Sequence, residues 1–229
     1  MSEITIIQMV ILALGAISGV LMEKMAIRLI QARDKSLGIE RFSGSLGKTV
    51  LWALFNAGGW LILVMINGFK AETLECMLLF SVCIVLSAVD ISIKKIPNEL
   101  ILMTLVIGAA FLVIGQPIWS LGANLGGFVL GFVVFFLPAM IGKGAGWGDV
   151  KFAAAVGFCL GAYGILAAIL IMTFYLALYA AYLMITRKGS LKSKIALGPF
   201  MASGFVTVLV INIINHNGIL FNLGAIIQG

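Results

Sequence analysis

A chain of 229 residues, 62% hydrophobic and only 10% charged, falls outside the range of soluble globular domains, in which about a quarter of residues are charged. The mean hydropathy of +1.18 places it among polytopic membrane proteins and leaves no room for a separate soluble domain. A formal charge of +6 is no nucleic-acid signal here, because the positive residues cluster in short segments between apolar runs, where they set membrane orientation. Cys76, Cys83 and Cys159 lie inside apolar runs without a C-x-x-C pair, and His216 is the single histidine. Neither a disulfide framework nor a metal or cofactor site is indicated.

A spanning helix needs roughly 20 apolar residues, so the chain is expected to form an all-α polytopic bundle of about eight transmembrane helices in one domain, residues 1–229. Helix 1 is expected over 4–22. It is read as retained, since no basic segment precedes it and no small-residue cleavage site follows. The amphipathic stretch 23–30 continues it into the interface, with Lys24 and Arg28 snorkelling. Residues 31–48 form the longest, basic loop. Helix 2 covers 49–66, with Asn56 placed for a hydrogen bond to another helix. Helix 3 covers 73–91 and ends around Asp90.

Helix 4 spans 98–114, with Pro97 at its first turn, where a missing N–H costs nothing. Helix 5 spans 119–141 and contains Gly122, Gly126, Gly127 and Gly131, spacings that favour close helix contact. Helix 6 is short, 149–161; helix 7 covers 163–185; a basic loop follows over 187–194; helix 8 covers 197–214.

Alternate loops of this layout carry fourteen of the fifteen lysines and arginines on one side, and Lys70 alone on the other. By the positive-inside rule those basic loops face the cytoplasm and both termini lie outside. Asp90 then ends an inward-going helix and Asp149 begins an outward-going one, so both carboxylates fall at the cytoplasmic edge.

Carboxylates in membrane segments are costly and mark functional sites by default. Each has a local explanation: Asp90 pairs with Lys94 one turn on, or Asp149 caps its helix. Their coincidence at one edge, with Gly146 and Gly148 leading into Asp149, points to paired chemistry. Two carboxylates sharing a proton can hydrolyse an amide: the ionised one takes a proton from water, the protonated one polarises the carbonyl. A small secondary transporter or channel using Asp90 and Asp149 as proton or cation ligands is the alternative, although such sites lie near the midplane.

Gly146-Trp147-Gly148-Asp149 reads as the G-x-G-D signature, and Gly148-Asp149-Val150-Lys151-Phe152 resembles the G-D-x-K-hydrophobic run of type IV prepilin peptidases. Asp90 with Ile96-Pro97-Asn98 resembles their first aspartate and proline turn, and Gly198-Pro199-Phe200 their late G-P-F segment. Presenilin-type relatives would carry Tyr-Asp at the first aspartate, whereas Val89 precedes Asp90 here.

The resemblance covers residues 72–204, the expected catalytic core. It implies an aspartyl endopeptidase with Asp90 and Asp149 as catalytic pair and Gly146, Gly148, Lys151, Pro97, Gly198 and Pro199 as support or substrate contacts. The implied partners are a prepilin or pseudopilin substrate and the lipid bilayer of the plasma (inner) membrane, with no nucleic acid. Many bacterial members carry two C-x-x-C pairs in the first loop and also N-methylate the product; residues 31–48 hold no cysteine, so a peptidase without methyltransferase activity is expected. Lys151 either contacts substrate or the pair, or snorkels. Gly198-Pro199 either brings backbone to the site or simply opens the last helix.

Overall fold

The computed structural model describes residues 3–33, 46–115, 120–142, 145–186 and 195–216. Seven helices are found among them: α1 (Glu3–Arg33), α2 (Leu46–Asn67), α3 (Ala71–Ile93), α4 (Asn98–Gly115), α5 (Ser120–Met140), α6 (Trp147–Ile185) and α7 (Gly198–His216). Six are long and apolar enough to cross a membrane, and α4 adds a shorter apolar helix. The expected first loop shortens at both ends, because Gln31–Arg33 still belong to α1 and Leu46–Lys48 to α2. Most of that loop, the basic segment 187–194 and the tail after 216 lie outside the described residues.

α6 is two expected helices in one. Its 39 residues would make a straight rod of about 58 Å, nearly twice the hydrocarbon core. At Gly161 the backbone leaves helical geometry, with φ 71° and ψ 178°, a left-handed value that glycine adopts without steric cost. The chain reverses there. Ala153 and Val156 of the first limb and Ile165, Ala168 and Met172 of the second line one small space. Counted by limbs, α6 brings the bundle to the eight expected segments.

Packing fixes the direction of each limb. The first limb runs against α5 with backbones nearly touching: a Cβ on Gly127 would meet the Gly157 carbonyl, one on Gly157 the Gly127 carbonyl, and one on Gly131 the Ala153 carbonyl. Lipid offers no hydrophobic drive between helices, so such small-residue seams hold them. The second limb lies along α7, where Tyr179 packs on Phe200 with ring centroids 5.4 Å apart and the Tyr175 and Thr207 hydroxyls are 3.3 Å apart. The reversal sits beside Ala71 and Ala123, at the starts of α3 and α5, around a cavity of about 370 Å³. That is the end of the bundle opposite Asp90.

α3 is the buried centre: Leu79, Val85, Leu86 and Val89 are fully enclosed. It is fastened to its neighbours by polar contacts at mid-depth. Asn56 of α2 donates to the Gly15 carbonyl of α1 (2.9 Å) and accepts from Ser81 of α3 (2.8 Å), while the Trp60 indole donates to Ser81 and to the Met77 carbonyl. These interhelical bonds fix the rotation of α3 and hence the direction in which Asp90, further along it, points.

Candidate active site

Asp90 lies one turn before the end of α3. The helix stops at Lys94, whose left-handed backbone (φ 50°, ψ 42°) caps it and whose N–H returns to the Asp90 carbonyl at 2.8 Å. A left-handed lysine costs energy that glycine would not. The bend it produces sends Ile96-Pro97 across the end of the bundle.

The Asp90 carboxylate is 4% exposed and accepts a 2.7 Å hydrogen bond from the backbone N–H of Gly198, the first residue of α7. Such an N–H has no partner within its own helix and carries the positive end of the helix dipole. Gly198 must be glycine for this approach: a Cβ would sit 2.8 Å from Asp90 Oδ2 and 2.9 Å from Asp90 Cβ. Pro199 follows in the first turn of α7, where it forfeits no helix bond.

Asp149 is the third residue of α6 and is half-buried. Its Oδ2 reaches back to the Gly146 N–H at 2.6 Å, while the Gly146 carbonyl accepts from the N–H groups of Asp149 (3.0 Å) and Val150 (3.2 Å). This is the carboxylate half of a capping box; Gly146 has no side chain for the other half.

The two aspartate-bearing segments are stitched together by the α3–α4 turn. Gly148 lies flat against Ile96, so that a Cβ there would be 3.1 Å from the Ile96 Cβ and 3.2 Å from its carbonyl oxygen. Pro97 is buried, and its carbonyl accepts from the Leu100 N–H at 3.2 Å to start α4. Lys151 donates to the Asn98 Oδ1 at 3.1 Å. The residues predicted as support therefore gather at the same end as both aspartates, and the Lys151 amine hydrogen-bonds to the start of α4. Among the described residues, no group of three or more His, Cys, Asp or Glu side chains is placed to hold a metal ion.

Three features at this end escape sequence reading. Arg33, at the end of α1, forms a 2.7 Å ion pair with Glu99, 66 positions away. Asn98, beside it, holds Lys151. Glu23 is 3% exposed and accepts from the Thr49 hydroxyl at 3.2 Å, joining α1 to α2. The first two depend on long-range docking that no local pattern encodes. A glutamate within an apolar stretch was the available signal for the third.

Residues 77–181 match the model of the type IV leader peptidase family. The chain is also 30% identical over 140 residues to a prepilin leader peptidase/N-methyltransferase of Bacillus subtilis, an overlap of 61% of this chain and 56% of that protein. Over residues 77–181 the chain is thus similar to the type IV leader peptidase family. It spans little more than half the length of the curated relative. No solved structure matches. The family match takes in Asp90, Pro97 and the Gly146–Lys151 run, while Gly198 and Pro199 lie beyond it; their link to the candidate site rests on the hydrogen bond to Asp90.

Proposed function

We propose that the chain is an intramembrane aspartyl endopeptidase that removes the basic leader from prepilin- or pseudopilin-like proteins at the cytoplasmic face of the plasma (inner) membrane. The observation that carries this reading is the placement of Asp90 and Asp149 at one end of the bundle, their segments joined where Gly148 lies on Ile96 and each carboxylate held by a single backbone N–H. Similarity to the type IV leader peptidase family over residues 77–181 supports a peptidase, and the positive-inside bias of the loops supports the cytoplasmic side.

In this mechanism one aspartate, ionised, takes a proton from water as the water attacks the scissile carbonyl. The other, protonated, donates its proton to the carbonyl oxygen; as the resulting diol collapses it takes that proton back, and the first aspartate passes the proton it took from water to the leaving amine. The Gly198 and Gly146 N–H groups orient the two carboxylates. The flat Gly148–Ile96 contact keeps their helices at fixed spacing. Residues 31–48 lack cysteine, and the proposal extends to this chain only the peptidase half of the relative's double name.

The test is the purified protein in lipid vesicles with a synthetic peptide: a short basic leader, a glycine, then an apolar helix. Mass spectrometry should find one cut at the leader boundary, insensitive to chelators. The absence of cleavage, with a proton or cation flux that depends on Asp90 and Asp149, would favour the transport reading instead.

A further inference from the structure

We propose that Glu99 reads the charge of the substrate's leader, with Arg33 occupying in the free protein the place that a basic leader side chain takes in the complex. The inference rests on the leader-peptidase reading and names a specificity-determining residue for it.

Glu99 belongs to the same short segment that organises the site. Three residues before it, Ile96 packs on Gly148. Its neighbour Asn98 holds Lys151, two positions from Asp149. Glu99 is therefore the next residue along from a side chain that contacts α6, at the same end of the bundle as both aspartates.

The charges around Glu99 make it distinctive. Among the described residues, every lysine and arginine except Lys70 lies in the half of the bundle towards this end, a distribution that repels a cationic leader. Of the carboxylates described at this end, Asp90 and Glu23 are buried and Asp149 is half-buried. Glu99 has a side chain 56% exposed and is the one open acidic foothold among them.

Its present partner is suited to exchange. The Arg33 and Glu99 side chains are 28% and 56% exposed, and an ion pair that open is worth little beyond what water supplies to each charge. A lysine or arginine of the leader can replace Arg33 with small net cost, unlike a buried pair, whose opening would strand a charge. The Arg33 guanidinium meanwhile holds the carboxylate in a defined position at the rim of the site.

The experiment uses the full chain in phosphatidylcholine vesicles with two peptides differing only in the leader, one basic and one with glutamates at the basic positions. Glu99→Lys is expected to raise KM for the basic leader about five- to tenfold, leave kcat within about twofold, and lower KM for the acidic leader. Glu99→Gln, nearly isosteric, should remove most of the wild-type preference. Arg33→Gln should lower KM for the basic leader about two- to threefold at low salt, an effect that fades as salt rises.

The inference is overturned if the wild type cleaves the basic peptide yet Glu99→Lys leaves the preference unchanged. It is equally overturned if the Glu99 variants reduce kcat alike for both leaders, which is the signature of a purely structural tie between α1 and α4. A wild type that cuts neither peptide brings down the leader-peptidase reading itself, and this inference with it.

Discussion

Asp90 takes its backbone donor from Gly198, 108 residues away, whereas Asp149 takes its donor from Gly146, three residues back. The Asp149 arrangement is therefore a property of the start of α6 and forms whenever that helix forms. The Asp90 arrangement exists only when α7 docks on α3 closely enough to bring a helix N-terminus against a buried carboxylate. One half of the site is local and tolerant; the other is tertiary and set by contact distances of about 3 Å.

Gly198→Ala should separate the two halves most strongly. Its new Cβ would press on Oδ2, Cβ and Cγ of Asp90 at 2.8 to 3.0 Å, so either α7 or the Asp90 side chain must shift. Displacement by about an ångström costs on the order of 100-fold in rate, and kcat should fall by about that factor. Tolerance at Gly198, with wild-type kcat, would break the claim that Asp90 depends on α7.

Gly148→Ala addresses the stitch between the halves. The new methyl would meet Ile96 at 3.1 to 3.3 Å, an overpacking of about 1–3 kcal/mol, and the expected kcat loss is about tenfold. Gly146→Ala should be mildest. Its φ of −89° and ψ of 163° suit any residue, a Cβ would stand 3.4 Å from Asp149 Oδ2, and the cost at a helix N-cap is about 1 kcal/mol, so activity should stay within about fivefold. If Gly146→Ala proved more damaging than Gly198→Ala, the contrast between a local and a tertiary half would be reversed.

Much of the architecture is readable before any coordinates, because membrane helices obey simple rules. Apolar length gives the spans, and the order of those spans puts Asp90 and Asp149 at one end. Gly161 is legible as the break between two helices, although it takes the fold to show that a single residue reverses the chain. Asn56 is recognisable as a helix–helix contact since an amide in an apolar run needs a partner. Its partners, Gly15 and Ser81, are not.

What stays hidden is whatever depends on rotation and docking. Pro199 and Gly198 look like an ordinary helix start until α7 is laid against Asp90. Lys151 leaves several roles open until Asn98 is found within hydrogen-bonding distance. Arg33 and Glu99 are two charges among many until α1 proves continuous as far as Arg33. An unbroken helix of that length carries the guanidinium to the start of α4, a reach that depends on where the helix ends.

The central claim is that Asp90 and Asp149 act as one unit. The most direct measurement is kcat for leader cleavage by Asp90→Asn, Asp149→Asn and the double variant, each reconstituted and checked for intact folding. Asparagine keeps the shape but cannot exchange the catalytic proton. The account predicts that each single variant loses at least about 1000-fold and that the double variant loses hardly more, the non-additivity of groups that share one step. Full cleavage by either single variant, or losses that multiply in the double variant, would contradict it.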